Sequence, residues 1–326
     1  MTSLRILGTG SFFPDQRLTN AELERRVDTS DAWIRERTGI RERRVLDPGL
    51  ATSDMAVAAA RQALAAAALT PQDLDMIVVA TVTPDMFVPA AAVRVQEKLG
   101  AHRAFAFDLS AACAGAMVAL DVVAQFFASG RAKVALIIGA ESMSRIVNEL
   151  DRNTCVLFGD AAGAMVVGHS EGSGSELIGV VTHTDGRHWE WIHVPGGGSL
   201  HPAKLGGSVE DFTVHMQGRE VFKFAVRALC EITEELLERC GMSIDQVDWV
   251  VAHQANQRIL DALPARMRVP LDKFIITIDW TGNTSSASVP TSLDLAVRDG
   301  RVQRGQVLLL LAIGAGMAWS AALVRY

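Results

Sequence analysis

Apolar residues recur at i, i+3 and i+4 from about Ser53 to Ala68 and again from about Val221 to Cys240, which predicts two amphipathic helices. Each is followed by a turn and a β-branched run, Met76–Val79 in the first case and Trp249–Val251 in the second. The turns match too: Thr70-Pro-Gln-Asp-Leu-Asp lies over Ser243-Ile-Asp-Gln-Val-Asp, and one constant offset relates Thr70 to Ser243 and Asp75 to Asp248. That offset is slightly more than half the chain. Further apolar runs at Ala104–Leu109, Val134–Ile138, Ala164–Val167, Lys273–Ile278, Val307–Leu311 and Ala321–Val324 read as buried strands. Strands alternating with amphipathic helices predict an α/β protein. The repeated offset favours two duplicated halves, residues 1–172 and 173–326, joined in the Gly/Ser-rich stretch Gly172–Ser175.

Composition narrows the function. The 326 residues are 49% hydrophobic and 21% charged, as expected of a chain with a large core and not of a disordered one. With 31 basic and 37 acidic residues the net charge is −6, which argues against a nucleic-acid partner. The uncharged run Val307–Val324 reaches membrane-spanning length, but Gly314 and Gly316 interrupt it, so two strands around a turn are the better reading. The start Met1-Thr-Ser-Leu-Arg lacks the apolar region of an export signal. The four cysteines, at 113, 155, 230 and 240, lack C-x-x-C spacing, so neither a metal site nor a disulfide framework is expected. A soluble, cytoplasmic protein without membrane attachment is expected.

Three segments combine a reactive side chain with small neighbours. In Asp108-Leu-Ser-Ala-Ala-Cys113-Ala-Gly-Ala-Met117, a strand ends near Leu109 and a helix begins at or just after Cys113. Unpaired N–H groups and the helix dipole favour a thiolate there, although a buried structural cysteine fits the same local context. In Val250-Val-Ala-His253-Gln-Ala-Asn256-Gln-Arg258, His253 ends a strand, and Asn256 and Arg258 open a helix. In Trp280-Thr-Gly-Asn283-Thr-Ser-Ser, Asn283 sits between an expected strand and a small-residue helix. Its separation from Cys113 along the chain nearly equals the repeat offset, so the two are expected in equivalent turns facing across a pseudo-dyad. A thiol with two neutral polar side chains suits acyl transfer, and the turn Gly314-Ala315-Gly316 offers backbone N–H groups to a reacting carbonyl.

Together these segments resemble the β-ketoacyl-acyl-carrier-protein synthase III family of the thiolase superfamily. Trp33-Ile-Arg-Glu-Arg37-Thr-Gly-Ile40, Phe158-Gly-Asp-Ala-Ala-Gly163, Gly218-Arg-Glu-Val-Phe222-Lys223 and Ala322-Leu-Val-Arg325 extend the likeness along the chain. The resemblance implies a thiolase-like, five-layered α-β-α-β-α fold, a homodimer, and thioester substrates carried by coenzyme A and acyl carrier protein, with no cofactor or metal. It implies a decarboxylating Claisen condensation in which an acyl-CoA acylates Cys113 and malonyl-carrier protein extends it, initiating fatty-acid synthesis. His253 and Asn283 would assist decarboxylation, and the amides of Cys113 and Ala315 would hold the oxyanion. Trp33 and Arg152 would sandwich adenine, with Arg37 near the phosphates. Asn256 and Phe222 would line the pantetheine tunnel, and Lys223 and Arg258 would meet the carrier protein.

The departures bear on the acyl group. Ala116-Met117 and Met317-Ala318 stand where many relatives carry bulkier or stiffer residues, and Val88 precedes Pro89 where an aromatic residue is usual, Phe87 lying one place earlier. These changes put a strict two-carbon preference in doubt. A specialised relative that condenses or transfers longer acyl or β-ketoacyl chains in polyketide or other secondary metabolism fits the same triad. A degradative thiolase fits worse, because it needs a second reactive cysteine near the carboxyl end. A papain-like protease orders Cys, His and Asn likewise but lacks its cysteine context here.

Overall fold

The computed structural model describes residues 4–169 and 174–326. The main strands are β1 (Leu4–Phe12), β2 (Met76–Ala80), β3 (Phe105–Leu109), β4 (Val134–Ser142), β5 (Asp160–His169), β6 (Glu176–Thr184), β7 (Trp249–Ala252), β8 (Val307–Gly314) and β9 (Ala318–Arg325). The longer helices are α1 (Asp31–Thr38), α2 (Thr52–Ala66), α3 (Ala91–Leu99), α4 (Gly115–Ala128), α5 (Gly218–Cys240), α6 (Gln257–Met267) and α7 (Ser288–Arg298). One sheet has the order β1-β5-β4-β2-β3 and the other β6-β9-β8-β7. The second repeats four strands of the first: β2 and β4 are parallel, as are β7 and β8, and β4-β5-β1 and β8-β9-β6 follow as antiparallel pairs, while β3, parallel to β2, has no counterpart strand among the described residues.

The repeat offset has a structural meaning. Asp75 donates its N–H to the Val134 carbonyl and accepts the Val134 N–H on its carboxylate. Asp248 does the same with Val307, and both partners are displaced by the same offset. Thr70 with Asp73 and Ser243 with Gln246 form matching capping boxes at the turn into each strand. In each half the turn, the strand and its parallel neighbour are thus pinned by the same bonds.

Helices α4 and α7 pack between the two sheets, while α2 and α3 cover the outer face of the first sheet and α5 and α6 that of the second. The layers therefore run α-β-α-β-α. The central layer is one apolar cluster that mixes the halves: Leu4, Ile6, Met76 and Ile137 meet Val289, Leu293, Leu308 and Leu310. Ala116 and Met117 are both buried in α4, Met117 within that cluster.

Two expectations change. Lys273–Ile278 is not a strand: Leu271–Lys273 is a 3-10 turn, Phe274 makes a single parallel bridge to Val250, and Ile278–Thr281 is one helical turn. The cause is the buried Gln254 amide, which donates to the carbonyls of Ala252 and Ile275 and accepts from the N–H groups of Thr277 and Ile278. A side chain thus replaces most of the ladder in the fifth-strand position. Asn283 consequently follows a helical turn and not a strand. The run Val307–Val324 is the antiparallel pair β8 and β9, and no helix among the described residues is long and apolar enough to cross a membrane. In the expected joint at Gly172–Ser175, Gly172 and Ser173 lie outside the described residues.

Candidate active site

Cys113 sits in a 3-10 turn, Ala112–Ala114, that leads directly into α4. Ala112 is held at φ 45°, a left-handed value that β-carbon sterics disfavour. Its counterpart is Ser285, at φ 50° in the 3-10 turn Ser285–Ala287 that leads into α7. The repeat offset relates these two elbows as well, so the strained position is duplicated although the side chains differ. Gly314 closes the approach: a β-carbon there would lie 2.5 Å from the Cys113 nitrogen and 3.0 Å from its β-carbon. Only a glycine lets the 314–316 turn lie against the cysteine backbone.

The thiol's surroundings work against the helix-activated thiolate that its position favours. Burial pushes Cys113 up to about 12, and the nearby Glu141 carboxylate acts in the same direction, while a hydrogen bond with Ser285 works against both.

His253 follows β7 and donates its backbone N–H to the Leu311 carbonyl at 2.7 Å. Its imidazole is buried, which lowers its pKa to about 3 and keeps the ring neutral. Its Nδ1 has no hydrogen-bond partner among the described residues. Asn283 is fixed by its own backbone, donating to the Leu157 carbonyl at 2.9 Å and accepting from the Gly159 N–H at 3.0 Å. Its Oδ1 accepts the Ser285 N–H at 2.9 Å, so the amide presents its Nδ2 donor to the space in front.

Cys113, His253, Asn283 and Ala315 line one cavity of about 760 Å³. Trp33, Arg37, Phe222, Asn256 and Arg258 also line it. Asn256 caps α6 through its Oδ1, and the Arg258 guanidinium lies 5.6 Å from the Phe222 ring centre. Two expected residues do not line it. Lys223 is paired with Glu220 on the exposed side of α5, and Arg152 stands over the Trp33 ring at 5.2 Å while binding Asp28. A flat base held between Trp33 and Arg152 needs roughly twice the ~3.5–4 Å contact distance, so Arg152 must swing away to admit one. Ala116 and Met117, expected to shape the pocket, do not line it either; Met317 does, with Met143, Ile146, Ile192 and Met216.

Sequence reasoning missed Glu141 and Ser285. Glu141 lies near the end of β4, wholly buried, and accepts hydrogen bonds from Thr83, Thr81, Val82 and Ser285. Its signal was a lone carboxylate at the end of an apolar run, Val134–Ala140.

Two family models match the chain: 3-oxoacyl-[acyl-carrier-protein] synthase III over residues 107–186, and the C-terminal part of the same enzyme over residues 237–326. A beta-ketoacyl-[acyl-carrier-protein] synthase III of Caldanaerobacter subterraneus subsp. tengcongensis is 48% identical over 98% of this chain and 97% of its own length. The crystal structure of 3-oxoacyl-[acyl-carrier-protein] synthase III from Aquifex aeolicus is 43% identical, with a TM-score of 0.93 over 99% of this chain and 100% of that one. The priming β-ketosynthase of the R1128 polyketide pathway is 38% identical, with a TM-score of 0.92 over 98% of this chain and 96% of that one.

Proposed function

The chain belongs to the β-ketoacyl-acyl-carrier-protein synthase III family, and from that premise we propose that Cys113 is its acylated nucleophile, with His253 and Asn283 acting on the extender. The enzyme is a condensing acyltransferase: it joins an acyl group to a malonyl thioester with loss of carbon dioxide. The observation that carries the assignment of roles is the convergence of Cys113, His253, Asn283 and the Gly314–Gly316 turn on one cavity floor. The acyl thioester carbonyl lies against the amides of Cys113 and Ala315. After acylation, the Asn283 Nδ2 and the neutral His253 ring donate to the malonyl thioester oxygen, where enolate charge develops as carbon dioxide departs. In this reading residues 1–172 supply the nucleophile and 173–326 the two donors. Trp33, Arg37 and Arg152 receive the nucleotide end of coenzyme A. Asn256 and Phe222 flank its pantetheine arm, while Lys223 and Arg258 meet acyl carrier protein. Phe87 and Val88, exposed at 81% and 83%, are covered by a second copy in a homodimer. Mass spectrometry of protein incubated with a panel of acyl-CoAs tests the reading: an acyl adduct on Cys113 is expected, and an adduct elsewhere overturns it.

The His253 ring gives a pH prediction. Its folded pKa lies below the ordinary 6.5, so the neutral form is stabilised by folding. That contribution to stability is complete above pH 6.5 and is lost as pH falls toward 3. Between pH 5 and 8 the ring stays neutral, so malonyl decarboxylation by the acyl-enzyme is expected to show no inflection near 6.5. An inflection there that disappears in His253→Gln would show that the ring titrates normally.

A second reading rests on the cavity walls and on the polyketide-priming relative: the primer is longer than two carbons. Flexible Met143, Met216 and Met317 can yield to a growing chain. Each buried methylene is worth about 0.8 kcal/mol, or roughly fourfold in affinity. Acylation efficiency is expected to rise from two- to four- and six-carbon acyl-CoAs, and a steady fall from the two-carbon substrate would return the enzyme to two-carbon priming.

A further inference from the structure

Beside the active-site cavity lies a second hollow of about 220 Å³, which the roles assigned above leave unused. The wall between the two is one chain thick. Ile146 lines the cavity and its neighbour Val147 the hollow; Val156 lines the cavity and its neighbour Cys155 the hollow. Phe158 alone lines both. The backbone of this wall is pinned. The Leu157 carbonyl accepts the Asn283 N–H at 2.9 Å, the Gly159 N–H donates to the Asn283 carbonyl at 3.0 Å, and the Arg43 guanidinium donates to the Val156 carbonyl at 2.6 Å. The other side of the wall is tied by the Ser144 N–H, which donates to Asp160 at 2.8 Å. The wall therefore opens by rotation of the Phe158 side chain, a motion that even close-packed interiors permit. Phe158 is also the bridge partner of Asn283, so this partition stands at the catalytic end of the cavity. The hollow has an apolar floor, with Leu23 and Cys155 buried and Leu18 and Val45 half-buried. Its rim sets Arg17 and Arg26 against Glu22 and Glu149, with Arg26 and Glu149 paired at 3.5 Å. Balanced charge of that kind recruits no ion, whereas an alkyl segment finds apolar walls and a wet end.

We propose that Phe158 sets the upper length of the acyl primer: a chain too long for the main cavity displaces the ring and ends in the hollow beyond. The proposal rests on the assignment of Cys113 as the acylated nucleophile. A short primer leaves the ring in place and never meets the hollow. A longer one turns the ring, and its further methylenes bury against Leu18, Leu23 and Val45 while its tip reaches water at the charged rim. Turning the ring gives up packing contacts, so crossing favours only chains that bring enough methylenes to offset that loss. The hollow adds more than a quarter to the roughly 760 Å³ of the cavity, which makes the ring a large lever on chain length. Phe158 is thus a specificity-determining residue. It takes no part in the bond changes, which stay at Cys113.

The test compares acylation of the full-length enzyme by four-carbon and twelve-carbon acyl-CoAs, read as the ratio of their efficiencies so that any general damage cancels. Phe158→Ala removes the partition, and the ratio is expected to rise about tenfold or more in favour of the longer chain. That is the effect of two newly buried methylenes at roughly fourfold each. Phe158→Leu is expected to shift the ratio the same way by less, and it carries the test should the alanine variant fail to fold. Leu18→Trp fills the hollow from its far side. Alone it is expected to lower the ratio while leaving four-carbon acylation unchanged, and combined with Phe158→Ala it is expected to cancel the gain. A ratio unmoved by both substitutions at Phe158, or an equal loss at both chain lengths, overturns the partition. A gain that survives Leu18→Trp overturns the hollow as the destination of the chain. Absence of an acyl adduct on Cys113 at either length in the unaltered enzyme instead overturns the nucleophile assignment, which keeps the failures distinct.

Discussion

Cys113→Ala is expected to abolish covalent acylation and condensation together while leaving the protein folded. In the proposed mechanism the sulfur is the atom to which the acyl group bonds, and neither His253 nor Asn283 can take its place as a nucleophile for a thioester. Folding should survive because Ala112 and Ala114 already show that a methyl group fits this turn, and because the half-buried thiol faces the cavity and adds little packing. Cys113→Ser is expected to behave almost as badly, since a hydroxyl there ionises less readily than a thiol that burial already pushes up to about 12. Radiolabelled acyl-CoA, trapped by acid precipitation, measures the outcome. Stoichiometric label on the alanine variant would sink the assignment.

Asn283→Ala carries the second large effect. The Asn283 Nδ2 is freed for substrate by the Ser285 N–H that occupies its Oδ1, so truncation removes one aimed donor from a preorganised pair. Loss of one such donor costs on the order of 10²–10³ in rate. The loss is expected in decarboxylation, with the acylation burst kept within tenfold, because in the proposed mechanism the loading carbonyl is held by backbone amides. His253→Ala is expected to follow the same pattern. A burst assay with a separate carbon dioxide measurement decides it: a vanished burst with intact decarboxylation would reverse the assigned order of roles.

Much of this architecture is legible in the chain. The constant offset announces the duplicated turns, because Asp75 and Asp248 do one backbone-capping task in two places. Cys113, His253 and Ala315 are legible because small residues at strand ends advertise a cleft. The false strand at 273–278 shows the limit of apolar periodicity, since Gln254 satisfies those backbone groups with a side chain, and a sequence pattern does not reveal which partner a backbone finds. Ala116 and Met117 mislead for a related reason: they follow the cysteine in sequence, but the helix buries them away from the cavity. Glu141 and Ser285 stay hidden because nothing local links them, and only the folding of one half onto the other brings them together.

The shared central layer also dictates an order of events during synthesis. Val289 and Leu293, which help cover the inner face of the first sheet, emerge from the ribosome long after that sheet's last strand. At about 5–20 residues per second the nascent chain waits on the order of ten seconds with Leu4, Ile6 and Met165 only half covered by α4. A fragment that stops after the amino-terminal half leaves this apolar layer half built and is expected to aggregate where the whole chain folds.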